Sequence, residues 1–388
     1  MHVAGLSPAD ADRMRRAFGR RNAKALVGQW HERFLEGAMK KGVPPDVAEK
    51  IFRKFHGEFQ FPESHAFAFG VTAFQAAWLK VYYPLEFYTG LFNQQPMGFY
   101  NLETLKEDAA RHDVTILNPD VNISEVWAKI EDHRLRLGFR HVRGVQEATA
   151  KAILESRSKD GPFLSLADFM RRTGARREVL DNLAEAGAFD SFDPRASWVH
   201  DSSMPGELPK SRRAPGNTAD RRELQWEIGL RYRPVGRQLA FDTFSEADMV
   251  ALPEQSAWER MAGEYRTLGL YPSGHVMAML RPRLPKDVIP SSQAEKMPDG
   301  REVRVAGVVI RRQRPLAKAV FITLEDEFGH SPLVIWPQVY ERLKRMTKES
   351  VLIARGTVSR RDGTMNIVVK DLEKVTSNAP TLPSKDWG

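Results

Sequence analysis

The residues of this chain best suited to chemistry are its cations. Between Arg134 and Arg177 stand eleven Lys and Arg against four acids. Within that stretch Arg143-Gly144-Val145-Gln146, followed by EATAKAI, has the form of a helix-hairpin-helix. The glycine lets the backbone turn sharply, and the following helix presents unpaired N–H groups to a phosphate. Lys151 on that helix, and Arg176 and Arg177 in a second unit of the same kind, extend the cationic face. Such contacts grip a DNA backbone without reading its sequence. A plain helix–turn–helix connection carrying solvated arginines is the alternative reading of the same residues.

A second basic region covers residues 301–375, with fifteen Lys and Arg against nine acids. Arg311 and Arg312 follow the first strand there, and Phe321 and Trp336 stand on later strands. Aromatics set in a basic groove stack the bases of a single strand. Phe321 and Trp336 fit a core position equally well.

Catalytic constellations are missing from the sequence. There is no Gly-rich phosphate loop, HExxH or nucleophile elbow, and the ten histidines are scattered singly. Zero cysteines exclude disulfides, zinc–thiolate sites, iron–sulfur clusters and thiol catalysis. Two-metal nucleotidyl transfer needs clustered carboxylates. The one dense acid run, Glu325-Asp326-Glu327, precedes Phe328-Gly329 at a strand end and reads as a solvated turn. Asp120 in NPDVN is isolated. The sequence therefore assigns no catalytic residue, no metal ligand and no cofactor bound by this chain.

The elements that must carry these residues follow from capping and periodicity. Ser7-Pro8-Ala9-Asp10 opens a helix, and Pro44-Pro45-Asp46 opens another with Val47, Ile51 and Phe55 at helical spacing. Ala66 to Tyr83 is apolar nearly all round, which predicts a buried helix ending before Pro84. From Leu135 to Phe192 short helices alternate with glycines in a twofold recurrence of one unit. Residues 200–218 are rich in Ser, Pro and Gly and predict a mobile linker. Period-two alternation then predicts strands at Glu302–Arg312, Ala319–Glu325, Ser331–Trp336, Ser350–Val358 and Met365–Val369, with a helix at Pro337–Met346. Five short strands with one helix between the third and fourth is the layout of an OB-fold barrel. The fold class is multi-domain, mainly α and then all-β. Its expected parts are a helical region 1–130, tandem helix-hairpin-helix units 131–200, a flexible linker 201–218, a helical connection 219–295, the OB-fold 296–378 and a tail 379–388 ordered only by chance contacts.

The whole chain has 388 residues, 58 Lys and Arg against 50 Asp and Glu, and a net charge of +8, a modest excess that fits a nucleic-acid partner. No run approaches the ~20 apolar residues of a membrane span, and the N-terminus lacks the apolar core of a signal peptide. The cytoplasm is the expected compartment.

Phe59-Gln60-Phe61-Pro62-Glu63-Ser64-His65-Ala66, followed by AFQAAWLKVYYPLEFYTGLFNQQPMGFY, resembles the fingers of bacterial C-family DNA polymerases, the polymerase III α-subunit family. NQQPMGFY is similar to the error-prone, damage-inducible paralogue in particular. The likeness continues in order through GFRHVRGVQEATAKAI, LAEAGAFDSF, DRRELQWEIG, EYRTLGLYPSGH and the terminal VRVAGVVIRRQRP…VFITLEDEFGHSPLVIWP. The resemblance implies fingers that hold the templating pair and incoming triphosphate, a hairpin domain on duplex DNA, and a barrel near the single-stranded template. On that basis Ser64 and His65 would face the nucleotide end and Lys80 would meet phosphate or DNA; a helix cap, a half-buried histidine and a solvated lysine are the plainer roles. The family's three palm aspartates, which bind Mg²⁺, and its histidine-rich N-terminal motifs have no counterpart here. The chain is thus expected to be the C-terminal part of an error-prone polymerase, inactive alone and dependent on a palm-bearing chain, with a sliding clamp and error-prone accessory proteins as further partners. The competing expectation is a standalone DNA-binding or scaffold protein derived from that family. Gln146 stands where the family often has a second hairpin glycine, which places a side chain at the point of closest phosphate approach. Glu246-Ala247-Asp248-Met249-Val250 has only a faint likeness to a clamp-binding motif, without its Gln and Phe.

Overall fold

The computed structural model describes residues 1–17, 23–55, 63–98, 100–192, 220–232, 250, 252–314, 319–361, 363–375 and 385–387. The linker 201–218, residues 59–62 of the fingers-like motif, residues 246–249, residues 379–384 of the tail and the Ser64 side chain lie outside the described residues. The chain divides into two compact units, Met1–Trp78 and Leu79–Gly388.

In the first unit α1 (Pro8–Ala17), α2 (Ala23–Gly28), α3 (His31–Lys40) and α4 (Pro45–Arg53) enclose a core that includes Met14, Val27, Phe34, Ala38, Ala48 and Phe52. The predicted cap is present, for Ser7 Oγ accepts the Asp10 N–H at 3.1 Å. Helix α4 is turned one residue from the expected face. Ala48 and Phe52 are buried and Val47 is exposed, because the larger Phe52 ring packs edge-on against His31 at 4.8 Å and beside Phe34 at 5.4 Å.

Helix α5 (Glu63–Tyr82) ends before Pro84 as predicted, but it is not buried. Phe67 is 75% exposed and Phe74 72%, and Trp78, Val81 and Tyr82 are exposed too. An apolar run signals a need for cover, while its source is a tertiary matter. No helix among the described residues is long and apolar enough to cross a membrane.

The second unit is helical and then β. Helices α6 (Pro84–Asn93) and α7 (Leu102–Ala110) are followed by β1 (Ile116–Leu117), β2 (Lys129–Glu131) and β3 (Arg134–Arg136), in the order β1-β3-β2. These three strands interrupt the all-helical reading of the region near residue 130. Next come α8 (Glu147–Asp160), α9 (Leu166–Thr173) and α10 (Arg177–Glu185), around a core with Leu135, Phe139, Ile153, Phe169, Leu180 and Phe189. Helices α11 (Arg221–Arg231), α12 (Ala257–Leu268) and α13 (Val276–Leu280) lead to β4 (Val288–Ile289), α14 (Ser291–Ala294) and the barrel.

The barrel strands are β5 (Glu302–Gln313), β6 (Val320–Asp326), β7 (Gly329–Ile335), β8 (Val351–Arg361) and β9 (Thr364–Lys374). Their order β5-β6-β7-β9-β8 closes through a β5–β8 pairing, with β7 and β9 parallel and the other neighbours antiparallel. Helix α15 (Pro337–Leu343) sits between the third and fourth strands and puts Leu343 into the barrel core. This is the expected OB-fold layout. Gly356 marks a register shift where β8 and β9 press together; a Cβ there would lie 2.4 Å from the Val368 carbonyl oxygen. The outer face of β5 and β8 is covered by α12 and α13, which pack Met261, Tyr265, Val276 and Met277 on Val308 and Ile353. In the tail, β10 (Lys385–Trp387) pairs in parallel with Arg311–Gln313 of β5, a regular register that the sequence did not suggest.

The acid run is not a solvated turn. Glu325 and Asp326 are buried. Asp326 accepts the N–H groups of Ser291, Phe328 and Gly329 at 2.8, 3.0 and 3.0 Å, pairs with Arg281 at 3.0 Å, and takes the Ser291 hydroxyl. Its carboxylate closes the very turn that the sequence placed there, and the α13–α14 connection buries it. Asp326→Ala should therefore cost roughly 3–5 kcal/mol of folding stability, since it leaves several buried donors unmatched and leaves Arg281 only its Glu327 partner. Urea unfolding of the two chains measures this, and a loss below about 1 kcal/mol would contradict the assigned network.

Candidate nucleic-acid interface

The two hairpins are built alike, thirty residues apart. Gly144 (φ +79°) precedes Val145 and Gln146, the N-cap of α8; Gly174 (φ +56°) precedes Ala175 and Arg176, the N-cap of α10. Both caps are extended, with ψ of 159° and 151°, and neither makes a side-chain cap hydrogen bond. Each helix therefore starts with its first-turn N–H groups untouched by the cap side chain, at the positive end of its dipole. Val145 is buried and anchors the loop, while Arg143, Gly144 and Gln146 are exposed.

The second hairpin braces the first. The Arg143 N–H donates to the Thr267 carbonyl at 2.8 Å, and the Arg143 carbonyl accepts from Asn182 Nδ2 at 2.9 Å. A Cβ on Gly144 would meet Asn182 Nδ2 at 3.1 Å and Glu178 Oε1 at 3.6 Å, so α10 lies directly under the turn and only glycine combines that fit with the positive φ. Arg143 and the start of α10, with Arg176 and Arg177, are thereby brought onto neighbouring surface. Arg176 is exposed, and Arg177 is exposed with Asp181 3.7 Å away. Lys151 is exposed but paired with Glu147 at 2.8 Å. That bond holds the Glu147 carboxyl below the usual carboxylate range, with Arg140 adding to the effect.

On the barrel, Arg311 is exposed and pairs in register with Thr323 of β6. Phe321 lies in a row with Gln313 and Val334 and is 39% exposed. Trp336 is not on a strand; it is the N-cap of α15 and is 52% exposed. Arg312 points elsewhere, donating to the carbonyls of Thr347 and Glu349 at 2.7 Å each. It ties the chain after α15 to β5.

The fingers-like residues behave differently from the expectation of open contacts. Lys80 is half-buried and donates to Asp108 at 2.7 Å, where Tyr88 also donates at 2.6 Å. Burial would raise the Asp108 carboxyl, but these two bonds and the nearby Arg111 hold it below its usual range. His65 is exposed and packs edge-on to Phe69 at 4.4 Å.

A buried cluster that the sequence did not flag consists of Glu103, Glu107 and His275, whose ligand atoms all lie within 4.8 Å of one another. Chemically it does not suit a metal. Lys106 already supplies the cation, 2.9 Å from Glu103, in contact with Glu107, and 2.5 Å from the Gly274 carbonyl. His275 Nδ1 accepts the Met277 N–H at 3.1 Å, so the ring proton of the neutral imidazole sits on Nε2, which is buried without a hydrogen-bond partner among the described residues. Two carboxylates against one ammonium leave negative charge in the interior, and burial pushes Glu103 up to about 7. Burial, with Lys106 adding to it, pushes His275 down to about 3. Helical i, i+4 spacing of Glu103 and Glu107 was visible in the sequence, but their burial was not.

Models of known families match two parts of the chain: a helix-hairpin-helix motif over residues 113–197 and an OB-fold nucleic acid binding domain over residues 303–375. The error-prone DNA polymerase of Anaeromyxobacter dehalogenans strain 2CP-1 is 36% identical over 404 residues, covering 100% of this chain and 32% of the relative. Those of Nocardia farcinica and Burkholderia pseudomallei are 33% and 34% identical, each covering 96% of this chain and 32% and 34% of the relative. The chain spans about a third of the length of the curated relatives it matches. Among solved structures, asparaginyl-tRNA synthetase from Pyrococcus horikoshii is 25% identical over 24% of each chain with a TM-score of 0.21.

The buried imidazole makes a pH test. The unfolded chain takes up a proton on His275 near pH 6.5 while the folded chain resists it until about pH 3, so this group removes stability as pH falls below 6.5. Glu103 acts in the opposite sense, adding stability as pH falls from about 7 toward 4.5. His275→Asn keeps a cap acceptor for Met277 and removes only the first effect. Urea unfolding at pH 7 and pH 5 should show the wild type losing more stability than the variant; parallel losses would mean that His275 is not held neutral.

Proposed function

From the homology of this chain, along its whole length, to error-prone DNA polymerases, we propose that it supplies the DNA grip and nucleotide-end fingers of such an enzyme and works with a palm that these 388 residues do not include. The observation that carries the reading is the doubled hairpin. Two uncapped helix starts, each behind a left-handed glycine and flanked by Arg143, Arg176 and Arg177, offer N–H groups and cations to successive phosphates of a duplex. Because these contacts address the backbone, binding is independent of sequence, as copying any template requires.

The barrel takes the single strand beyond the duplex. Arg311 faces its phosphates, and Phe321 and Trp336 offer stacking surface at the rim, while Arg312 keeps the platform in place. His65 and the start of α5 belong at the nucleotide end. Lys80 sets the end of α5 against α7 through Asp108 and is a positioning residue.

Mg²⁺ belongs to the palm. The carboxylates here are otherwise engaged: Glu103 and Glu107 on Lys106, Glu325 on Thr104 and His330, Asp326 on the β6–β7 turn. Helix α5 supports the need for further polypeptide, since an apolar helix exposed on every side is stable only when another surface covers it. The relatives carry about twice as much additional chain to provide one.

Two outcomes are expected. The purified chain with Mg²⁺, a primed template and four nucleotides extends no primer, and extension appears on adding a palm-bearing polypeptide from a relative. Extension by the chain alone would end this reading; no extension by the mixture, with DNA binding intact, would leave a standalone DNA-binding protein. Separately, replacing Arg143, Lys151, Arg176 and Arg177 with Ala should weaken duplex binding and make the slope of log K against log salt shallower, by ~0.9 for each phosphate that is no longer neutralised. An unchanged affinity and slope in filter-binding or anisotropy titrations would move the duplex site away from the hairpins.

A further inference from the structure

Trp127 stands near the first hairpin with the Arg140 guanidinium over one face of its ring and about half of the residue open to solvent. Val126 and Ala128 pack on the helical core, while Trp127, in the bend before β2, is 48% exposed. The Arg140 guanidinium lies over the indole at 3.8 Å. No aromatic ring among the described residues stacks on the opposite face.

The platform is held rigidly from behind. Asn93 clamps the next residue through both its amide atoms, donating to the Ala128 carbonyl at 2.9 Å and accepting the Ala128 N–H at 2.8 Å. Arg140 is steadied by the carbonyls of Asn93 and Gln95, at 3.3 and 3.5 Å. Gly138 lets the strand pass so close that a Cβ there would lie 2.3 Å from the Trp127 carbonyl carbon. A Trp indole with its motion removed and a cation at its back is a surface for another flat π-system.

Its position selects the ligand. Arg140 is three residues before Arg143, and its charge reaches Glu147, the first residue of α8. The ring therefore adjoins the helix start that grips phosphate in the proposed function, on which this inference rests. A paired base keeps its faces inside the duplex stack, whereas an unpaired base is free to leave it. We propose that Trp127, backed by Arg140, is a stacking site for an unpaired base where the duplex gives way to single strand.

The test uses the full chain and two DNAs of equal duplex length, one blunt and one with a single-stranded overhang whose first unpaired base is 2-aminopurine. Wild type should bind the overhang DNA more tightly and quench the 2-aminopurine fluorescence. Trp127→Ala should lose roughly 5- to 100-fold in affinity for the overhang DNA, retain its blunt-duplex affinity and abolish the quenching. Trp127→Phe should preserve most of both signals, which guards against a folding defect in the smaller variant. Equal losses on the two DNAs, or tight binding by wild type without quenching, would overturn the stacking site while leaving the hairpin grip in place. Failure of wild type to bind either DNA would overturn both readings.

Discussion

One ammonium group buried between two carboxylates holds the second unit of this protein in register. Lys106 on α7 sits between Glu103 and Glu107, and Glu103 also accepts from the Tyr265 hydroxyl at 2.6 Å and the Tyr271 N–H at 2.9 Å. Thr104 on the same helix donates to Glu325 of β6 at 2.9 Å. Helix α7 is thus bonded at once to α12, to the loop after it and to the barrel. Removing one member of such a cluster strands a charge in the interior, which typically costs ~3–5 kcal/mol, whereas sliding the elements past one another would break every bond together. A second buried group repeats the device: Arg221 on α11 pairs with Asp190 at 2.6 Å and with Glu264 of α12 at 2.8 Å.

These networks decide where the DNA-facing features stand. Thr267, whose carbonyl holds the Arg143 N–H, lies on the same helix as Tyr265, which holds Glu103. The first hairpin is therefore two residues of helix away from the bonds that seat the barrel. Arg143 on one side and Phe321 on the other cannot drift independently. The hairpins and the barrel therefore share one bonded frame rather than forming two modules on a tether.

How much of this could be read from the chain depended on the range of the interactions. The barrel was legible because alternation along Glu302–Gln313 and its neighbours is a local consequence of one face being buried. The hairpins were legible because short helices alternate with glycines twice over between Leu135 and Phe192, although only the structure shows that the second turn is at Gly174. Burial of α5 was misjudged because composition states that Phe67 and Phe74 need cover without saying which polypeptide brings it. The acids at Glu325 and Asp326 were misjudged for the opposite reason: their partners, Thr104, Arg281 and Ser291, are distant in sequence, and nothing local distinguishes a solvated carboxylate from a buried one that is fully bonded. Trp127 went unnoticed because an isolated aromatic outside any repeat carries no pattern, and only the guanidinium stacked on it in space makes it distinctive.

The clamped backbone of Arg143 bears on movement as well as on binding. With its N–H and carbonyl both already bonded inside the protein, the turn has little conformational entropy left to lose when, in the proposed grip, a phosphate arrives. The free energy of that proposed contact then depends on the phosphate, the helix-start N–H groups and the arginine side chains, and each phosphate along a duplex is equivalent to the next. Every register of the DNA is equally favourable, separated by barriers no higher than breaking a few solvent-exposed ion pairs. Such a grip is a bearing: it resists dissociation while offering little friction to a step of one nucleotide.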